Sequence, residues 1–381
     1  MKVKLKELGK ISTGNTPSKN VAEFYDSEDI GFVKPDVISD SQVDYIENTM
    51  EYLSEMARNK ARIVKKDAVF VTCVGSIGKI GIAQNKEFAF NQQINAIEPN
   101  EKVLPQYLAY GIFANKRKLH AIANAPVVPI INKTQFGDFE IEIIDDIQEQ
   151  LMIVKVLDKV SEIIANRKTE LEKLDDLIKA RFVEMFGDPV SNPKGLIERT
   201  LPELGEFGRG VSKHRPRNDE ALLGGVYPLI QTGDVANSGL YITEYHSTYS
   251  ELGLRQSKMW NEGTLCITIA ANIAKTAILG FDACFPDSVV GFNANENTNN
   301  VFVHYWFSFF QEILESQAPE SAQKNINLKI LSELKVIVPD IQEQKEFVAF
   351  VVQVNKSKAA VQKALDQTQL LFDSLMQEYF G

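Results

Sequence analysis

The sequence predicts an α+β protein. It has two pseudo-two-fold-related globular domains separated by two long α-helices that form an antiparallel coiled coil. Three observations carry this: an internal repeat at an offset of 194 to 196 residues, two forty-residue stretches without proline or glycine, and strand-like runs bounded by turn residues elsewhere in each copy. A chain of 381 residues is also too long for one ordinary domain.

The repeat spans both copies. Asp146-Ile147-Gln148-Glu149-Gln150 returns as Asp340-Ile341-Gln342-Glu343-Gln344, and Leu5 to Gly14 (LKELGKISTG) returns as Leu201 to Gly210 (LPELGEFGRG). Lys66 to Lys79 (KDAVFVTCVGSIGK) aligns with Glu262 to Lys275 (EGTLCITIAANIAK), and Phe186-Gly187 with Phe380-Gly381. An offset that drifts by two residues over the whole unit marks a tandem duplication.

Each copy ends in a helix. Asp146 and Asp340 are expected N-caps, and Gly187 and Gly381 follow the last helical residues. Apolar residues recur at alternating spacings of three and four. The first seam runs through Ile153, Leu157, Val160, Ile164, Leu171, Leu174, Ile178 and Met185, with Arg167 and Arg181 as polar members. The second runs through Phe347, Val351, Val354, Val361, Leu365, Phe372, Leu375 and Tyr379, with Lys358 and Thr368 polar. That period is a coiled-coil signature, and polar seam residues fix register. Each helix is a rod of about 60 Å. Antiparallel packing of the two rods would place the domains at opposite ends; the alternative is that each helix packs on its own domain.

The remaining residues read as mixed strand and helix. Gly31 to Lys34, Ala68 to Val74, Tyr227 to Gln231 and Leu265 to Ala270 are strand-like, and Leu104 to Ala123 and Val301 to Gln317 helical. Two prolines and a glycine make residues 188–198 a linker. The expected layout is a domain at 1–146, a helix at 147–187, the linker, a second domain at 199–340 and a second helix at 341–381.

The formal net charge is −10, from 41 basic and 51 acidic residues, which argues against coating nucleic acid non-specifically. The N-terminus lacks a signal-like apolar run, and no stretch is long and apolar enough to span a bilayer, so a cytoplasmic protein with no membrane partner is expected. Cys73, Cys266 and Cys284 form no CxxC pair and are expected to be buried thiols.

No catalytic constellation emerges. Gly75-Ser76-Ile77-Gly78-Lys79 is followed by Ile80 where a phosphate loop needs Ser or Thr, the four histidines have no metal-ligand spacing, and GxSxG and HExxH are absent. No metal site is expected. Binding signals are clearer. Arg58, Lys60, Arg62, Lys65 and Lys66 form one basic run, and Arg209, Lys213, His214, Arg215 and Arg217 another. Lys79 and Lys275 follow a strand and turn at equivalent positions. Asn91, Gln92, Gln93 and Asn272 carry amides suited to bidentate adenine contacts, or to capping turns.

Leu5 to Ser18 (LKELGKISTGNTPS), Gly75 to Gly81 (GSIGKIG), Phe90 to Ala96 (FNQQINA), Ile147 to Gln150 (IQEQ) and Arg181 to Pro189 (RFVEMFGDP) together resemble the specificity (S) subunit of type I restriction-modification systems, a bacterial defence, over the entire chain. The second copy departs from the pattern, with Ala271-Asn272-Ile273-Ala274-Lys275 for the glycine turn and Pro286-Asp287-Ser288 for the Asn-Gln-Gln string. The resemblance implies a non-catalytic subunit whose target-recognition domains each read one half of a split double-stranded DNA sequence, with the rods setting the gap. It implies partners: methyltransferase (M) subunits, two in number, that bind S-adenosylmethionine, and restriction (R) subunits that use ATP and Mg²⁺. This chain itself is expected to hold no cofactor. The residues expected to face DNA are Thr13, Asn15, Thr16, Arg58, Lys60, Arg62, Ser76, Lys79, Asn91 and Gln92 in the first domain, and Arg209, Lys213, Arg215, Arg217, Asn272 and Lys275 in the second. A non-DNA coiled-coil scaffold and a nuclease acting alone are the competing readings.

Overall fold

The computed structural model describes residues 1–85, 87–123, 128–270, 272–317, 326 and 328–381, side chains at 312 and 315–317 excepted. Ala271 of the second turn lies outside the described residues. The chain divides into two units, Met1–Thr169 with Gln362–Gly381, and Glu170–Val361. Each therefore takes part of both long helices, Ile147–Phe186 and Ile341–Phe380, rather than one domain with its own helix.

In the first unit a five-stranded sheet has the order Gly9–Thr13, Ile94–Pro99, Val69–Thr72, Ile80–Ala83, Val43–Ile46. A four-stranded sheet has the order Tyr52–Leu53, Ile30–Val33, Glu87–Phe90, Ile63–Lys65, and Lys2–Lys4 pairs with Glu140–Glu142. The second unit repeats all three. Its five strands are Gly205–Arg209, Val289–Ala294, Leu265–Thr268, Thr276–Leu279 and Tyr241–Ile242. Its four are Ser247–Tyr249, Leu223–Leu229, Ala283–Cys284 and Met259–Trp260, and Glu198–Thr200 pairs with Lys335–Ile337.

Alternation along the central strand builds two cores. Val69 and Val71 face one core with Tyr107, Leu108 and Tyr110, while Phe70 faces the other with Phe88 and Phe90. Leu265 and Ile267 divide from Cys266 in the same way. Cys266 is far smaller than its counterpart Phe70, and the volume is recovered by Trp260, which stacks on Phe285 at 5.1 Å and closes over Gly291. The three thiols are free and buried, and burial pushes Cys73 up to about 12.

The apolar stretch 104–123 is two helices, Pro105–Ala114 and Lys116–Ala121. Asn115 divides them, with its side-chain amide donating to the Gly111 carbonyl at 2.9 Å. Its counterpart is one helix, Asn300–Gln317.

The shared helix starts explain the repeated DIQEQ. Asp146 accepts from the Gln148 amide at 2.8 Å and Asp340 from the Gln342 amide at 2.7 Å, which caps each helix. Gln150 and Gln344 are fully buried. Gln150 donates to the Lys102 and Ile144 carbonyls and accepts from the Leu104 amide. Gln344 donates to the Asn297 and Pro339 carbonyls and accepts from the Thr298 hydroxyl. Each glutamine thus pins its domain to the helix that follows it.

The helices pack antiparallel within each unit. In the first, Leu157 and Ile164 share a core with Leu365, Phe372, Met376 and Phe380, and Phe380 meets Tyr107 at 4.9 Å. In the second, Ile178, Phe182 and Phe186 share a core with Phe347 and Val351, and Phe182 stacks on Phe302 at 5.2 Å. Leu171 and Val361 are half-buried. The polar seam residue Lys358 forms an ion pair with Asp175 of the facing helix, and Arg181 lies over the Phe350 ring at 5.7 Å. Phe182, Phe186, Met376 and Phe380 lie off the heptad seam, because the last turns of each helix also plug a domain core.

Candidate nucleic-acid interface

The two turns that end in Lys79 and Lys275 are built alike. The Thr72 hydroxyl donates to the Ser76 carbonyl and accepts from the Lys79 amide at 3.0 Å. The Thr268 hydroxyl donates to the Asn272 carbonyl and accepts from the Lys275 amide at 3.1 Å. A positive φ is needed before each lysine: Gly78 has 82°, and Ala274 takes 57° at some backbone cost. The turns differ in their lysines. The Lys79 ammonium donates to the Pro35 carbonyl at 2.9 Å, whereas the Lys275 ammonium has no hydrogen-bond partner among the described residues. Ser76 and Asn272 are exposed at the tips.

A second shared feature joins the end of the first strand to the turn before the next sheet strand. Gly14 and Asn15 donate to the Ile94 and Phe90 carbonyls; Gly210 and Val211 donate to those of Val289 and Phe285. A Cβ at Gly14 would overlap the Phe90 and Asn91 carbonyls, and one at Gly210 those of Phe285 and Pro286. This close approach is why the glycine recurs.

The structure brings several sequence-identified residues together at this corner in the first domain. The Thr16 hydroxyl donates to Gln92 Oε1 at 2.7 Å, Thr13 donates to Asn95 Oδ1 at 2.6 Å, and the Asn15 amide donates to the Lys60 carbonyl at 2.6 Å. Gln92, Lys60 and Arg62 are exposed, and the two cations make no ion pair with a described residue. Two expected contacts are otherwise engaged. Asn91 is buried and bonded to the amide and side chain of Gln93, so it builds the turn. Arg58 is held by Glu55 and by Glu87 at 2.6 Å, so its charge is already compensated.

In the second domain Arg209, Lys213, Arg215 and Arg217 are exposed around the matching corner. Gln256 Oε1 accepts from the Lys213 and His214 amides at 2.6 and 3.0 Å, which fixes the loop. Arg215 donates to the Ser212 and His214 carbonyls and lies 3.5 Å from Asp287; Arg217 pairs with the same carboxylate. Asp287 stands in the sequence where the first copy has the Asn-Gln-Gln string, but residue type alone assigns neither it nor Ser212 and Gln256 to the site. The repeat contains the signal for two of them, since Asp287 aligns with Gln92 and Ser212 with Thr16.

No described helix is long and apolar enough to cross a membrane, and no group of three or more metal-binding side chains occurs among the described residues. Two copies of one α+β domain, carried on paired helices and presenting differently charged loops on one scaffold, define a duplicated recognition module. The family model described as type I restriction modification DNA specificity domain matches residues 1–175 and 193–368. The chain belongs to this family, whose members are the DNA-recognising, non-catalytic subunits of type I restriction-modification systems. Among curated relatives, it is 24% identical over 328 residues to a protein of Methanocaldococcus jannaschii carrying the name of the MjaX type I restriction enzyme specificity subunit, covering 81% of this chain and 76% of that one. It is 27% identical over 217 residues to the MjaIX specificity subunit of the same organism, covering 54% and 49%. The crystal structure of an S subunit from M. genitalium superposes with a TM-score of 0.59 at 15% identity, covering 100% of this chain and 96% of that one, which shows the shared fold.

Proposed function

We propose that the chain reads a split double-stranded DNA target, one half-site per domain, and recruits two methyltransferase subunits, with a restriction subunit as a further partner. S-adenosylmethionine, ATP and Mg²⁺ are then bound by those partners. The observation that carries this reading is the pairing of a repeated scaffold with divergent corners. The buried glutamine seats and threonine-bridged turns match, while the Thr16–Gln92 corner is neutral and the Arg217–Asp287 corner is charged. A protein that reads two different half-sites needs that combination, since scaffold residues position and loop residues specify. Lysines and arginines in the loops hold phosphates, and nearby amides and hydroxyls read base edges.

The test is selection from a pool of random duplexes by the full chain with its methyltransferase partners. A motif of two fixed half-sites separated by a gap of constant length supports the proposal. Inserting one heptad in each long helix is expected to change the gap and leave both half-sites intact. A contiguous motif, or an unchanged gap, refutes it. The scaffold alternative predicts no retained sequence.

A further inference from the structure

The corner formed by the first-strand end and the turn at 90–93 or 285–288 has the same backbone pairing in both domains, but its side chains differ in kind. In the first domain Gln92 Oε1 accepts from Thr16 at 2.7 Å. This orients the amide plane, and Nε2 has no partner among the described residues. In the second, Asp287 takes the position of Gln92 and holds Arg217 through one terminal nitrogen. The Arg217 Nε and Nη1 have no partner among the described residues, and the side chain is 46% exposed. Arg217 also borders a cavity of about 320 Å³ with Ser212, Asn218, Gln231, Ser247 and Ser288. Ser212 is only 7% exposed, and its hydroxyl is buried without a hydrogen-bond partner, in contrast to the satisfied hydroxyl of its counterpart Thr16. The same cavity is lined on its apolar side by Leu223, Leu229 and Tyr249, and an unpaired buried hydroxyl beside it is costly unless a ligand or water completes it.

We propose that this corner is the base-reading site of each domain: Gln92, oriented by Thr16, reads an adenine edge in one half-site, and Arg217, oriented by Asp287, reads a guanine edge in the other. The chemistry follows from the donors. A planar amide matches adenine N6 and N7, and a guanidinium fork matches guanine O6 and N7. A carboxylate that grips one end of the fork fixes its plane, so Asp287 is a positioning residue. Arg217 therefore differs from Lys60 and Arg62, which have no oriented partner and suit a phosphate. This assignment rests on the proposed reading of split DNA.

The test uses the same complex and the same random duplexes. Arg217→Gln is expected to lower guanine preference at one position of one half-site roughly ten- to hundredfold, leaving the other half-site unchanged. Asp287→Ala relaxes the same position, and Asp287→Glu restores it, which a purely structural role would not do. Gln92→Ala relaxes one adenine position in the opposite half-site. A uniform loss of binding to all sequences makes Arg217 a phosphate contact and overturns the assignment, as does an unchanged motif. Arg217→Lys, which keeps the charge but not the fork, serves if the glutamine variant does not fold. If the unaltered complex retains no split motif, the underlying reading falls; if it does and no position shifts, only this assignment falls.

Discussion

The two domains share the buried hydrogen-bonded seats that join domain to helix and differ in the side chains at one exposed corner. Gln150 and Gln344, with no exposure, each bond two carbonyls and one donor at the start of their helix, and Thr72 and Thr268 bridge equivalent turns. At the exposed corner a neutral hydroxyl–amide pair in one domain is replaced by two arginines on one carboxylate in the other. Buried polar groups have few tolerated substitutes because each unmet partner costs free energy, while an exposed corner is free to change its donors. A duplicated gene can thus keep one fold and acquire two specificities.

The largest expected effect lies in the shared part. Gln150→Ala and Gln344→Ala each orphan two carbonyls and a donor, and each is expected to cost about 3 kcal/mol by denaturant titration. Near-equal costs support the equivalence of the two seats, and a silent variant at either would break it.

An intermediate effect separates the units. His304 has Ala109 as its counterpart, is half-buried, and donates or accepts at Thr276 Oγ1 at 2.9 Å. Burial holds its pKa down to about 4, from an ordinary 6.5. The unfolded chain binds the proton first, so the stability from this group is complete above pH 6.5 and is lost as pH falls toward 4. Hydrogen exchange across that window should show the Glu170–Val361 unit opening first. Replacement of His304 by Gln should remove the difference, and equal acid sensitivity in both units would contradict it.

The smallest effect concerns the basic run. Lys60→Ala and Arg62→Ala should each weaken binding to all duplexes alike and reduce the salt slope by about one. Arg58→Ala, already compensated by Glu55 and Glu87, should change the slope less. An Arg58 effect as large as that of Lys60 would show that its ion pairs open on DNA.

Much of this architecture is legible in the residues. Freedom from proline and glycine over forty positions marks both helices, and the repeat marks both domains. The division of each helix between two cores was not legible, because Phe182 and Phe380 belong to a domain core rather than to the heptad. The break at Asn115 depends on one side-chain bond to Gly111 within a stretch that is otherwise apolar. At the corner, residue type identified Gln92 and Arg217 as binding groups. It did not show that Asn91 is buried in the turn or that Asp287 orients the arginines, because both follow from contacts distant in sequence.

The central claim is that two copies of one scaffold each read their own half-site. Replacing residues 199–340 by a second copy of residues 1–146 tests it most directly, with bound sequences selected by the folded complex. The account predicts a target containing the first half-site twice. Retention of the original second half-site by that chain would contradict it.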